Sequence, residues 1–349
     1  MSEAPVQPIP LGAYVLPGRV SSPTLAVGQA QMAEHLGLNT IWISERYGTK
    51  DLGVLGGAIS QATSRITIAS GVGHFLFRHP LVLAGMSMTL QALSGERFML
   101  GIGRSVGPMW GAVGLPKMTN QALIDCADIH RRLCRGEKVK YDGPAGKFPS
   151  LRLGDLPDVT PPPILLAAIG PKTLDIAGRH FDGAILHPFL TSTAVRASVD
   201  KVRAGAEAAG RDPDSVKIYA TVVTAPDLTE AQELAVVGGR AVTYYQIPEF
   251  GELLASVNGW DVAGIAELRS HPMLANLRGS ADNSFTKDQL AEVSRSLPQE
   301  WLYEGAAIGS AGVCATRLRE YLAAGATEIL IHGAVPDLLG PTIQHFRDQ

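Results

Sequence analysis

Short apolar runs alternate with stretches of helical periodicity from end to end of the chain, the pattern of parallel βα units. Eight units are countable, with strands expected at Leu11–Leu16, Thr40–Ser44, Ile66–Val72, Phe98–Gly103, Ile164–Ala168, Gly183–His187, Lys217–Thr224 and Glu328–His332. The helix after the first strand shows the logic. Ser22 is placed to cap it, Pro23 opens it, Leu25, Gly28, Met32 and Leu36 share one face, and Gly37 closes it. The closure recurs near the C-terminus, where Gly325 precedes Ile329 and Ile331 as Gly37 precedes Ile41 and Ile43.

Eight units predict an α/β fold, a closed (β/α)8 TIM barrel, whose typical length of about 250 residues leaves about a hundred for insertions. Two insertions are expected within one domain spanning 1–349. The first, 135–163, reads as a loop or hairpin before strand five. The second, 244–304, reads as a lid-like helical excursion with helical periodicity over Lys287–Leu297.

In such a barrel the chemistry belongs at the C-terminal strand ends. There stand Ser44-Glu45-Arg46-Tyr47, Ser70-Gly71-Val72-Gly73-His74, Gly103-Arg104-Ser105, His187-Pro188 and His332-Gly333. After strand five, Ala168-Ile169-Gly170-Pro171-Lys172 passes from strand straight into helix. Pro171 at the first helical position lacks an N–H that has no helical partner there, so the following amides and the helix dipole can face a phosphate. The segment matches no Walker loop. Gly101-Ile-Gly-Arg-Ser-Val-Gly107 spaces its last glycine one residue late for a dinucleotide fingerprint, which leaves a tight loop or an Arg104 phosphate grip. His74, His187 and His332 suggest a zinc-type hydrolase, but no His-x-His follows strand one, and no lysine sits at a strand end for Schiff-base chemistry.

Composition narrows the classes further. The 349 residues are 46% hydrophobic and 18% charged, with a formal net charge of −3, so neither nucleic acid nor an anionic membrane surface is an expected partner. The start, Met1-Ser-Glu-Ala-Pro, is unlike a signal peptide, and a cytoplasmic protein is expected. Three cysteines without zinc-knuckle spacing are expected as free thiols.

Arg65-Ile-Thr-Ile-Ala-Ser-Gly-Val, Phe77-Arg-His-Pro80, Glu96-Arg-Phe-Met-Leu-Gly-Ile-Gly103, Ala167-Ala-Ile-Gly-Pro-Lys172 with Asp182-Gly183, and Ala323-Ala-Gly-Ala-Thr-Glu-Ile-Leu-Ile331 together resemble the bacterial luciferase-like superfamily. The likeness is nearest to its coenzyme F420-dependent branch, which includes methylenetetrahydromethanopterin reductase and F420-dependent dehydrogenases. It runs from about Leu11 to the final helix, leaving Tyr244 to Glu304 outside. The resemblance implies an F420-dependent oxidoreductase moving a hydride between the deazaflavin and a small organic substrate. It also implies a cis peptide at Gly71-Val72 bulging against the ring.

Carried over position by position, the resemblance puts coenzyme contacts at Ser70, Gly71 and Val72, at Gly103, Arg104 and Ser105, and at Ala168, Ile169, Gly170 and Lys172, with Glu45 and His187 beside them. Arg46 and His74 are the expected catalytic pair. Glu45-Arg46 departs from the acidic-histidine pair frequent in the family, and the glutamate that sugar-phosphate dehydrogenases carry after strand four is missing, so their substrate does not transfer. The alternatives are an FMN-dependent monooxygenase fed by a separate reductase, and a metal-dependent or ligand-binding barrel without flavin. Relatives form dimers, and the helices Leu52–Ala62 and Leu81–Leu93 are the expected homodimer surface.

Overall fold

The computed structural model describes residues 7–20, 22–46, 49–104, 113–277, 279 and 281–348. Eight parallel strands close into a barrel: β1 (Ile9–Val15), β2 (Leu38–Ile43), β3 (Thr67–Ser70), β4 (Phe98–Ile102), β7 (Ile164–Ala168), β8 (Gly183–Leu186), β9 (Lys217–Pro226) and β11 (Glu328–Gly333). Pairing of β11 with β1 and of β8 with β9 completes the ring. The remaining strands lie outside it. β5 (Val139–Gly143) and β6 (Gly146–Leu151) form an antiparallel hairpin inside the 135–163 segment. β10 (Ala306–Gly309) pairs with the last four residues of β9, on the side that short β8 leaves open.

Parallel strands covered by helices are buried on both faces, which is why they read as nearly continuous apolar runs. One side chain from each barrel strand forms the inner core: Tyr14, Trp42, Ala69, Met99, Leu165, Ile185, Tyr219 and Leu330. Their mates on the opposite strand faces pack against the surrounding helices, and each fully buried Leu, Ile or Phe there contributes about 1.5–3 kcal/mol.

Helix Leu25–His35 buries a different face from the expected one. Ala26, Gln29, Ala30 and Ala33 face the barrel, while Leu25 and Gly28 are exposed and Met32 and Leu36 half-buried. Small side chains let this helix lie close on the sheet, and the Gln29 Oε1 accepts the Leu16 N–H at 2.8 Å. Thr24, not Ser22, occupies the cap position; the Ser22 hydroxyl bonds that of Thr24 instead.

The helical excursion also begins earlier than expected, at Glu230, because Thr229 and Gln232 form a capping box there. It then runs through Gly239–Tyr245, Phe250–Val257, Gly264–Ser270, Ala281–Ser284, Lys287–Ser294 and Gln299–Glu304. Trp260 stacks on Trp301 with ring centroids 4.9 Å apart, and Tyr245 packs beside them, giving the excursion its own aromatic core.

Helices Leu52–Ala62 and Pro80–Ser94 pack against each other and leave Val54, Val82 and Leu93 exposed. Among the described residues no helix is long and apolar enough to cross a membrane.

The N-terminal end of the barrel is plugged by polar groups. The Thr40 hydroxyl and the Asn39 amide donate to the Glu328 carboxylate, and the Trp42 Nε1–H donates to Thr40 Oγ1 at 2.5 Å. Gly12 faces this plug, where any Cβ would overlap Thr40 Oγ1. Burial pushes the Glu328 carboxyl from its ordinary value near 4.5 up to about 7, against the lowering effect of its two hydrogen bonds.

The unfolded chain therefore releases this proton near pH 4.5 and the folded chain near pH 7. Between those values the folded state holds more protons, so stability falls as pH rises. Above pH 7 the loss is complete and is on the order of 3 kcal/mol. Glu328→Gln is expected to flatten this slope. Urea midpoints of both proteins at pH 5 and pH 8 check it; parallel slopes would contradict it.

Candidate active site

Strand alternation places Gly71, Gly103, Ala167, His187 and His332 above the inner core at the C-terminal mouth. Three of the five are Gly or Ala, and they lie on adjacent strands β3, β4 and β7. The chain bulges as it leaves β3. The Gly71 N–H still donates to Ile43 O at 2.8 Å, the Gly71–Val72 peptide is cis, and pairing with β4 resumes at Gly73, whose N–H donates to Gly101 O. Ser70 Oγ anchors the start of the bulge by donating to Gly101 O at 2.7 Å. Val72 is thereby turned inward onto Gly103 and Ala167, and a Cβ on Gly103 would stand 2.6 Å from the Val72 methyl. Gly71 lies against the Tyr14 ring, where a Cβ would come within 2.9 Å of the ring carbons.

Beside this floor lies the Gly-Pro turn. Ala168 ends β7, Ile169 leads out, and Gly170 precedes helix Pro171–His180 with proline at its first position. The Thr173 and Leu174 N–H groups turn back to Gly170 O, which leaves the Lys172 amide as the donor of the first turn. The half-buried Arg104 reaches the same turn, donating to Thr173 Oγ1 at 3.3 Å and Asn120 Oδ1 at 2.5 Å. His74 holds Arg104 in place. Its Nε2 donates to Arg104 O at 2.9 Å while Nδ1 accepts the Leu76 N–H at 3.0 Å. Burial keeps the His74 ring neutral by lowering its pKa. The Lys172 side chain is exposed at the rim, and Ser105 lies outside the described residues.

The opposite wall is cationic. Arg46 pairs with Asp282 of the excursion, and Arg240 approaches the same carboxylate oxygen at 3.9 Å. Lys50 is wholly buried behind them, its Nζ donating to Leu16 O, Gly18 O and Ser44 Oγ. Burial, and then the Arg46 and Arg240 charges, push its ammonium down to about 7. The same causes hold His332 neutral, well below its ordinary value, and its ring meets that of Tyr14 edge-on at 5.1 Å. His187 sits against Tyr244 and Phe250, its Nδ1 donating to Pro188 O at 2.7 Å, and burial lowers it to about 4. Glu45 is turned aside, paired with Arg78 at 2.5 Å.

The structure thus gathers Ser70, Gly71, Val72, Gly103, Arg104 and the 168–172 turn on one side of the mouth, and Arg46, His187 and His332 on the other. Sequence reasoning passed over Tyr14, Lys50, Arg240 and Asp282. Tyr14 carried a usable signal, as a tyrosine at the end of the first strand. Asp282 carried none, since its partner Arg46 is 236 residues away. Among the described residues no three His, Cys, Asp or Glu side chains converge as a metal set, and Cys126, Cys134 and Cys314 are free and buried.

Known proteins share this architecture. Over 325 residues, 89% of this chain and 90% of the relative, it is 26% identical to the 5,10-methylenetetrahydromethanopterin reductase of Methanolobus tindarius. It is 30% identical over 207 residues, 54% of this chain and 56% of the relative, to an F420-dependent hydroxymycolic acid dehydrogenase of Mycobacterium tuberculosis. The solved coenzyme F420-dependent tetrahydromethanopterin reductase of Methanopyrus kandleri superposes with a TM-score of 0.77 at 18% identity, covering 98% of this chain and 99% of that one. The sequence model of the luciferase-like monooxygenases matches residues 9–328. With that match covering most of its length, the chain belongs to the luciferase-like monooxygenase family and is an oxidoreductase.

Proposed function

We propose that this chain is a coenzyme F420-dependent oxidoreductase that passes a hydride between the deazaflavin and a small organic substrate. The observation that supports this most is the juxtaposition of the Gly71–Val72 bulge with the Arg104 and Gly170-Pro171 seat, an apolar floor for a planar ring beside donors for its anionic tail. The relatives from Methanolobus and Mycobacterium point the same way.

When bound, the coenzyme supplies the hydride chemistry. In this reading Ser70, Gly71 and Val72 support its ring, while Gly103, Arg104, Ser105, Ala168, Ile169, Gly170 and Lys172 take its phosphate and tail. His187 belongs to the opposite wall, whereas Glu45 is engaged by Arg78. A phosphate at the helix start gains about 0.3–1 kcal/mol from the dipole, and up to ~2 kcal/mol when partly buried. His74 acts as a positioning residue, since both its nitrogens are spent on backbone and its carbonyl partner is that of Arg104. Arg46 serves the substrate side as a fixed cation, because a guanidinium keeps its proton at any ordinary pH. One alternative is an FMN-dependent monooxygenase with a separate reductase, a reading supported by the family's monooxygenase description and by solved neighbours that hold FMN.

Titration of the purified protein with each cofactor, followed by fluorescence, separates the two. Micromolar or tighter binding of F420 and much weaker binding of FMN is expected, and the reverse order would move the reading to the FMN-dependent monooxygenase. Arg104→Ala and Lys172→Ala are each expected to weaken F420 binding by ~1–2 kcal/mol; unchanged affinity in both would place the tail elsewhere. We propose further that a second copy of the chain covers Val54, Val82 and Leu93. Sedimentation should find the wild type dimeric and a Val54→Asp, Val82→Asp double variant monomeric, whereas a monomeric wild type would refute that interface.

A further inference from the structure

The cavity at the mouth, about 410 Å³ and bordered by Arg19, Arg240, Lys287 and His332, has more positive charge than its lining answers. Among its described lining residues Asp282 is the one acid. Arg19 spends its guanidinium on the backbone, donating to Asp282 O at 2.7 Å and Phe285 O at 3.1 Å. Arg46 takes one oxygen of the Asp282 carboxylate. Arg240 is left over. Its side chain is only 15% exposed, and it stops 3.9 Å from that same oxygen, beyond hydrogen-bond reach. Its guanidinium carbon stands 5.8 Å from the Tyr244 ring, and its Nη2 lies close to the Gly18 backbone.

A largely buried guanidinium that has no hydrogen-bonded carboxylate of its own is stabilised by a well-placed anion. A second group there is unsatisfied. His332 borders the cavity, is 9% exposed, and its Nδ1 finds no partner among the described residues. Asp282 itself stands on a single helical turn, Ala281–Ser284, outside the barrel sheet and held across the mouth by Arg19 and Arg46.

We infer that the substrate carries a carboxylate, which binds between Arg46 and Arg240 in the place that the Asp282 side chain holds in the free enzyme. Asp282 is then an internal stand-in for the substrate. It keeps Arg46 paired while the site waits, and it yields to a carboxylate that also satisfies Arg240. The group that fits is a carboxylate because one already occupies the position, and a guanidinium fork matches its two oxygens. The substrate role assumes the oxidoreductase site proposed above, whereas the anion site itself needs no coenzyme.

Calorimetric titration of the coenzyme-free full chain with pentanoate, pentanamide and inorganic phosphate tests this. Pentanoate is expected to bind at least about tenfold more tightly than pentanamide, the loss typical of removing a charge-assisted pair. Asp282→Asn, which removes the competitor and keeps its shape, is expected to tighten pentanoate binding, whereas Arg240→Met should weaken it by about tenfold, with partial recovery in Arg240→Lys. Equal binding of acid and amide by the wild type would overturn the inference, and this comparison stands even if a variant fails to fold. Weaker pentanoate binding in Asp282→Asn would also overturn it, as would phosphate binding more tightly than pentanoate. F420 titration of the same preparation separates the two assignments. Carboxylate preference without F420 binding contradicts the F420 assignment alone, and F420 binding without carboxylate preference contradicts the anion site alone.

Discussion

The barrel interior is filled unequally, and the mouth takes its shape from that. Tyr14 from β1, Trp42 from β2 and Tyr219 from β9 put three aromatic rings into one side of the inner core. On the other side β3 contributes Ala69, and above Met99 and Leu165 the ends of β4 and β7 carry only Gly101, Gly103 and Ala167. Close packing leaves no slack between these halves: Gly71 lies under the Tyr14 ring, and Gly103 receives the Val72 methyl. The bulge after β3 fits because Gly103 and Ala167 beside it carry almost no side chain. A larger residue at Gly103 would displace Val72 and with it the floor.

Charge is divided as unequally as volume. Beyond the small-residue half, Arg104 and the Lys172 amide gather where a helix begins, braced by a neutral His74. Beyond the aromatic half, Arg46, Arg240 and Lys50 crowd together around Asp282, and burial, with the two guanidinium charges behind it, pushes the lysine ammonium down to about 7. Two separate cationic regions on either side of one apolar floor suit two anionic partners better than one. In the proposed reading the tail of the coenzyme takes the first region and the substrate the second.

The strands were legible because every barrel strand is buried on both faces and so reads as a short apolar run bounded by glycine, proline or polar residues. The Gly-Pro turn was legible for a similar reason, since its conformation is written in two adjacent residues. Other features were not. The buried face of helix Leu25–His35 is made of Ala26, Ala30, Ala33 and Gln29, which periodicity does not distinguish from surface residues, whereas the larger Leu25 and Met32 mark a different face. Thr229-x-x-Gln232 marked the true start of the excursion but is a short polar signal beside a long apolar strand. The Arg46–Asp282–Arg240 cluster joins three distant segments through the fold alone, and no local pattern announces such a contact.

The central claim is that a planar, anionic coenzyme lies on the Gly71–Val72 bulge with its tail against Arg104 and the Gly170-Pro171 turn. A crystal structure of the protein with F420 bound tests it most directly. The account predicts the ring in van der Waals contact with Val72 and the phosphate within hydrogen-bond distance of Arg104 or the Lys172 amide, with the cavity beside Arg240 left free. A ring seated over Tyr14 and His332, with its phosphate on Arg240, would contradict it.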